Sequence, residues 1–430
     1  MYYKLTLVVD SNTFKTDDPL QYELVSTNTS TNGEIIPNIS KTDITGTSIE
    51  LGSGKFEKAN NAKHTYLLKI YYPKKATSQN ANQGAAFSAH VEITSAKAPT
   101  VSTLAQTILA KNEVKAPITT PGAAVSTATE ALLASTEDDY GTSYYFRGAV
   151  KNNYVEFANK CWRIVRVGGD GSVKLILHND NPTGAANPCD AANNSATAAF
   201  ARYSGEKYTS AFNEKGEDNA YVGFKFGTPG SSTYEATHAN TNKSTILTNL
   251  ETWYNNNLKT YEKVIADTVW CNDKTVTDKT YNPWNWSNVN GLGYGTNVTI
   301  YGATQRLVST SRSAGGTGPS FKCNGELSKI TSKVGLITAD ELAFAGYAHE
   351  LENTTTYLQE NIGTLWWWSL SPYDFSSIGA AVWGVLGGNG YFSTSGVSDH
   401  AGGLRPSISL KSTTNVTGDG TSSSPFVVKI

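Results

Sequence analysis

Methionine is nearly absent from this chain: Met1 is the only one in 430 residues. That scarcity leads to the expectation of a start codon added to a mature or truncated chain, from which a leader or anchor has been removed. Charge is also sparse, at 17 % of residues, and nearly balanced at a formal −2. Nothing therefore points to nucleic acid or an anionic membrane as partner. No apolar run approaches the roughly 20 residues that cross a bilayer. The opening MYYKLTLVV goes straight into strand-like alternation, without the regions of a signal peptide. Cysteine is missing from the first 160 positions, and Cys161, Cys189, Cys271 and Cys323 fit no paired CxxC zinc spacing. Two disulfides are the better expectation, with four free thiols the rival. Sequence proximity favours Cys161–Cys189 and Cys271–Cys323 among the three possible connectivities. The six histidines include no i, i+4 pair. P-loop, GxSxG, HExxH and dinucleotide-binding fingerprints are all missing, and the GLGYG at 291–295 has no following GK[ST].

What is abundant is Asn, Thr, Ser, Gly and Tyr, the chemistry of turns and of adaptable recognition surfaces. The length favours two or three domains. Residues 1–96 read as an antiparallel β-sandwich, because 3–9, 64–72 and 87–93 alternate between Gly, Asn and Pro breaks. His64 and His90 lie within such strands and are expected as ordinary strand residues. HTYLLKIYYP followed by NQGAAFSAHVEI resembles the β-sandwich of camelysin-type secreted bacterial fibre and matrix proteins, which implies a surface or stalk module.

Residues 97–140 read as a linker with two short helices, at 103–110 and 128–134, docked on a domain. Its Glu137-Asp138-Asp139 run is expected as a solvated loop; calcium ligation is the unsupported alternative, and no other cofactor is expected. Residues 141–430 form the third region. A hairpin is predicted across Gly168-Gly169-Asp170-Gly171, with Arg163 and Arg166 on the solvated face. Helices are predicted from the Ser244 cap, through Ile246, Leu250 and Trp253, and from the Thr338–Glu341 capping box. Trp284 and Trp286 are candidates either for stacking on a sugar or peptide or for covering the core.

The stretch 365–410 carries the functional signal. Apolar anchors recur there among short, mixed residues, between LWWWSLSP and GLRPSISL. With the spaced VWGV, this pattern resembles the variable region of diversity-generating-retroelement proteins, which adopt a C-type-lectin-like fold related to formylglycine-generating enzymes. YFRGAV and NKCWRIVRV resemble the opening of the same domains. The resemblance implies an α+β, β-rich chain: an N-terminal antiparallel β-sandwich plus a C-terminal C-type-lectin-like domain. It also implies a diversifiable ligand surface made of Tyr373, Asp374, Ser376, Ser377, Ile378, Gly384, Leu386, Tyr391, Ser393, Ser395, Ser398, Asp399 and His400. Trp366, Trp368, Trp383, Phe392, Gly403, Arg405 and Pro406 would be the scaffold beneath it.

The function expected is that of a secreted or surface-displayed adhesin or receptor, extracellular or on the cell surface. Its partner would be an unidentified protein or carbohydrate on another cell or phage surface. A constant glycan-binding adhesin and a fibre or pilus subunit polymerising by strand donation are the alternatives. Enzyme activity is not expected. The formylglycine-generating oxidase needs a cysteine pair close to the C-terminal end, and no cysteine follows Cys323. Glycoside hydrolysis needs two converging carboxylates, and the spacing of Asp374 with Asp399 or Glu341 does not establish them.

Overall fold

The computed structural model describes residues 1–28, 33–36, 38–56, 63–75, 78–96, 102–123 and 129–430. The chain is α+β and β-rich, and divides into two compact units, Met1–Val101 and Ser102–Ile430.

The first unit is built from β1 (Tyr2–Asn12), β2 (Gln21–Ser26), β3 (Gly33–Glu34), β4 (Ile39–Asp43), β5 (Ser48–Phe56), β6 (Tyr66–Tyr71) and β7 (Phe87–Ala96). Every pairing is antiparallel, giving one sheet ordered β3-β5-β1-β7 and another ordered β4-β2-β6. The period of two explains the layering. Tyr3, Leu5, Leu7 and Val9 of β1 point inward and meet Tyr22 and Leu24 of β2 in a shared core. The sandwich expected for residues 1–96 is present. His64 accepts or donates through Nδ1 to the Tyr3 hydroxyl at 2.7 Å, and His90 pairs with Asp10 at 3.0 Å.

The second unit opens with α1 (Leu104–Lys111), whose Thr103–Gln106 capping box starts it and whose Leu104 and Ile108 enter the core. The first of the two expected linker helices is thus docked as anticipated. The second is not a helix. The described part of that stretch lies in β8 (Ala131–Asp138), paired residue for residue with β9 (Gly141–Gly148). Eight residues of ladder outweigh the modest helix preference of Ala and Leu.

Strands β10 (Tyr154–Phe157), β11 (Lys160–Val167) and β12 (Val173–Asn179) follow, and β11 and β12 form the predicted glycine-turn hairpin. Next come β13 (Lys225–Phe226), α2 (Tyr234–Thr237), β14 (Asn242–Lys243) and α3 (Thr245–Asn257). Ser244 caps α3, and Ile246, Leu247, Leu250, Trp253 and Tyr254 bury its apolar stripe. After β15 (Thr268–Cys271), β16 (Thr299–Ile300), α4 (Gly302–Leu307) and β17 (Lys329–Ser332) comes α5 (Ala339–Ala345), which carries the predicted Thr338–Glu341 capping box and is buried throughout. The chain ends with β18 (Trp367–Ser376), β19 (Gly379–Leu386), β20 (Tyr391–Gly396), β21 (Ser407–Leu410), β22 (Val416–Thr417) and β23 (Phe426–Val428).

Two sheets organise this unit. Strands from both its ends share the larger one, ordered β21-β12-β11-β10-β23-β22, with β8 and β9 attached through β11. The smaller sheet, β16-β18-β19-β20, comes from the interior of the sequence. Both expected disulfides, Cys161–Cys189 and Cys271–Cys323, are formed.

Two charge expectations are corrected. Arg163 and Arg166 do not face solvent. Arg163 is fully buried, bonding Asn153, Glu360 and the Val150 carbonyl, and Arg166 bridges Asp138 and Glu341 at 2.9 and 3.0 Å. The 137–139 run is only partly solvated: Glu137 and Asp139 are exposed as expected, but Asp138 is buried. Asp138 also accepts from the amides of Tyr140 and Gly169, while Asp139 accepts from the Cys323 amide. Asp138 is needed there because guanidinium groups and amides removed from water must be paired.

Candidate ligand-binding surface

The hairpins β18–β19 and β19–β20 hold the residues singled out between 373 and 400. Their anchors come first. Adjacent strand residues face opposite ways, and both faces are covered here, so Trp367 and Trp368 are each fully buried. Trp368 donates its indole N–H to the Ser210 carbonyl at 2.8 Å. A Cβ on Gly402 would lie 2.0 Å from that indole nitrogen, and one on Gly403 would meet the Phe200 ring at 2.5 Å. Glycine at both positions is therefore a packing requirement. Arg405 is buried, donates to the Leu177 and Leu358 carbonyls, and holds its guanidinium 4.8 Å from the Trp367 ring centroid. Pro406 accepts at its carbonyl from Leu177. Trp383 and Phe392 are fully buried, with their rings tilted at 33° and 4.7 Å apart. Trp366 is only half-buried.

Cross-strand register then sorts the remaining positions. The β19–β20 ladder pairs Ala381 with Gly396, Trp383 with Thr394 and Val385 with Phe392 on the inner face. On the opposite face it pairs Val382 with Ser395, Gly384 with Ser393 and Leu386 with Tyr391. Leu386 is exposed, and Tyr391, Ser393 and Ser395 are half-exposed. Beyond β20, Ser398, Asp399 and His400 are exposed; Asp399 accepts from the Ser395 hydroxyl at 3.1 Å, and His400 lies 3.4 Å from Glu214. The β18–β19 turn presents Ser376, Ser377 and Ile378, the last 94 % exposed. Gly216 joins these parts: the Ala380 amide donates to its carbonyl, and it sits against Val397 and Ser398.

Three of the expected ligand residues lie elsewhere. Tyr373 is buried, edge-on to Trp383 at 5.0 Å and to Trp284 at 5.4 Å. Asp374 is buried too, and burial alone lifts its carboxyl to about 8. Gly384 lies under Trp366, and a Cβ there would approach that indole to 2.3 Å. The physical reason for the first two is that β18 is buried on both faces from Trp367 to Phe375, so neither of two adjacent, oppositely directed side chains reaches solvent. The register also shifts on both sides of Pro372, which has no N–H to give the ladder.

His349 completes the inner layer. It is buried against Tyr373 and Trp383, and among the described residues neither ring nitrogen finds a hydrogen-bond partner. Burial pushes its pKa below the usual histidine value, against the opposing pull of Glu350.

Two cavities complete the picture, the first joining residues that the sequence named separately. A groove of about 450 Å³ runs beside the β18–β19 turn, with Trp286 and Asn285 on one side and Ser376, Ser377 and Ile378 on the other. Trp286 and Trp284 stack at 4.9 Å; Trp284 packs on the core and Trp286 lines the groove. A second cavity, of about 270 Å³, is lined by a charged set. There Arg166 and Lys174 converge on Glu341, and Arg306 bridges Asp273 and Asp340 at 2.7 Å each. Burial pushes the Glu341 carboxyl up, but Lys174 and Arg166 outweigh it and hold the group below its usual range. Among the described residues, no three His, Cys, Asp or Glu side chains form a group able to hold a metal ion. Nor is any described helix long and apolar enough to cross a membrane.

Comparison with protein-family models, with curated proteins and with solved structures gives no match to this chain.

Proposed function

We propose that this chain is a secreted or surface-displayed ligand-binding protein whose β18–β20 hairpins present the recognition surface on a C-type-lectin-like domain. The observation that carries the reading is the register of β19 and β20. It turns Leu386, Tyr391, Ser393 and Ser395 to one face and the anchors Trp383, Val385 and Phe392 to the other. Side chains on the first face can change without disturbing the packing of the second. Tyrosine supplies contact area at low entropy cost, and serine supplies adaptable hydrogen bonds. The sharing of one sheet by both ends of the second unit fits the lectin-like reading, and the two disulfides suit an oxidising compartment.

Deep sequencing of the gene from one natural population tests diversification. The expected result is variation confined to 376–378, 386, 391, 393, 395 and 398–400, with Tyr373, Asp374 and Gly384 constant. An invariant hairpin would overturn the diversified surface in favour of a constant adhesin.

A specific feature of the first unit favours a second reading, a fibre subunit that accepts a donated strand. Strands β6 and β7 are each an edge of their sheet, with no further strand paired to them among the described residues. Between the sheets runs an apolar groove of about 530 Å³, lined by Tyr3, Leu5, Leu24, Leu68, Val91 and Ile93. Exposed edges of this kind take up extra strands. Electron microscopy of concentrated protein would show filaments on this reading, and the pair Val91→Lys and Ile93→Lys would abolish them. A monomer at every concentration would count against it.

A further inference from the structure

The groove beside the β18–β19 turn has a chemistry that narrows the ligand. We infer that it binds a neutral oligosaccharide, stacked on Trp286. This rests on the reading of the hairpins as a ligand surface and names the class of ligand at one end of it.

The groove is lined by no acidic or basic side chain. Its polar groups are amides and hydroxyls, from Asn285, Asn288, Ser376 and Ser377. Among the described residues, none is hydrogen-bonded to the side chains of Asn285, Asn288 or Ser377, or to the indole N–H of Trp286. An amide offers donors and an acceptor, and a hydroxyl offers both. That complement matches sugar hydroxyls, which likewise donate and accept. It does not match a phosphate, a carboxylate or an ammonium, for which a site this open would supply a counter-charge.

The indole is held in place before any ligand arrives. The Asn282 side chain clamps the Trp286 backbone from both directions, accepting from its amide at 2.9 Å and donating to its carbonyl at 2.8 Å. Asn285, at φ 55, makes the turn between the two tryptophans. One indole then rests on the other, 4.9 Å apart and tilted by 20°, and Trp284 is itself braced on Tyr373. A ring fixed in this way stacks on a flat apolar face at little entropic cost. The C–H face of a pyranose ring is such a face. Exposed Ile378 closes the opposite side of the groove. Stacking on an indole and hydrogen bonds to amides and hydroxyls need no bridging cation.

Titrating the full chain with mannohexaose, cellohexaose and chitohexaose, followed by calorimetry and tryptophan fluorescence, tests the assignment. At least one neutral hexasaccharide should saturate the protein, without added calcium and in the presence of a chelator. Trp286→Ala should weaken it tenfold or more, Trp286→Phe should retain part of the affinity, and Tyr140→Ala, an exposed tyrosine outside the groove, should match the parent. Tighter binding of polygalacturonate than of every neutral sugar would overturn the proposal, as would a Trp286→Ala variant that binds like the parent. A panel with no binder, alongside natural variation confined to the exposed hairpin positions, would remove the glycan proposal and leave the ligand-surface reading standing. No binder alongside an invariant hairpin would remove both.

Discussion

Two parts of the second unit treat their buried carboxyls differently. Around β11, β12 and α5, Asp138, Asp273, Asp340 and Glu341 each meet a guanidinium or ammonium at 2.6 to 3.0 Å. On β18, Asp374 has no ionic partner, and its carboxyl is lifted to about 8 by burial. The ring nitrogens of His349 and Trp383 likewise have no hydrogen-bond partner among the described residues. The first region is pinned by charge, and the second by the shapes of tryptophan, tyrosine and phenylalanine rings. A sheet held by its inner rings can carry varied residues on its outer face, because no structural ion pair depends on them.

The largest effect should come from breaking the charged region. Arg306→Ala strands Asp273 and Asp340, both buried, without their shared cation. Removing one partner of a buried pair costs about 3–5 kcal/mol, to be read as a lowered midpoint in urea. A loss under about 1 kcal/mol would show that the cavity water already screens these groups, and the contrast between the regions would vanish. Next is Tyr373→Ala, which empties the space between Trp284 and Trp383 and should cost about 3 kcal/mol. A cost near zero would return Tyr373 to the list of surface contacts.

Asp374→Asn differs from these in having a definite pH signature. The folded pKa is raised from 3.8 to about 8, so between those values the folded chain holds a proton that the unfolded chain has released. Stability from this group is therefore lost as pH rises through that window, by about 1.4 kcal/mol per pH unit. The asparagine variant lacks this loss. Its stability relative to the parent should climb from pH 4 to pH 8 and then level off. A difference independent of pH would mean that Asp374 is ionised in the fold.

Much of this architecture was legible in the residues. Strands with clean alternation, the two capped helices beginning after Ser244 and Thr338, the glycine-turn hairpin and the cysteine pairs were all readable, because each depends on local chemistry. The anchors of the 365–410 stretch were readable for the same reason: large rings have few places to go. Tertiary context hid the remainder. Arg163, Arg166 and Asp138 are charged residues on strands, and only their mutual approach in space makes burial tolerable. Nothing local marks β8 as a strand until β9 pairs with it. Tyr373 and Asp374 follow the resemblance to a variable region, which does not show that β18 is covered on both faces, and Gly384 is hidden because Trp366 folds back over it.

The smallest stability effect is also the sharpest test of the contrast. Tyr391 faces Leu386 across the ladder and has no ring partner among the described residues; its amide bonds the Asn389 side chain, which the alanine variant keeps. Cutting the side chain therefore removes one cross-strand pair, worth about 0.2–1 kcal/mol, and leaves no buried group unsatisfied. Ser393→Ala and Ser395→Ala should each fall within about 0.5 kcal/mol of the parent. Their effects should add, since no buried network joins them. Thermal denaturation of the three single variants and the triple variant measures this directly. A triple variant that melts with the parent would establish an outer face that carries composition independently of the fold. One that loses as much as Tyr373→Ala would show that the outer serines and tyrosine belong to the scaffold, and a surface of that kind could not be rewritten without unfolding the sheet beneath it.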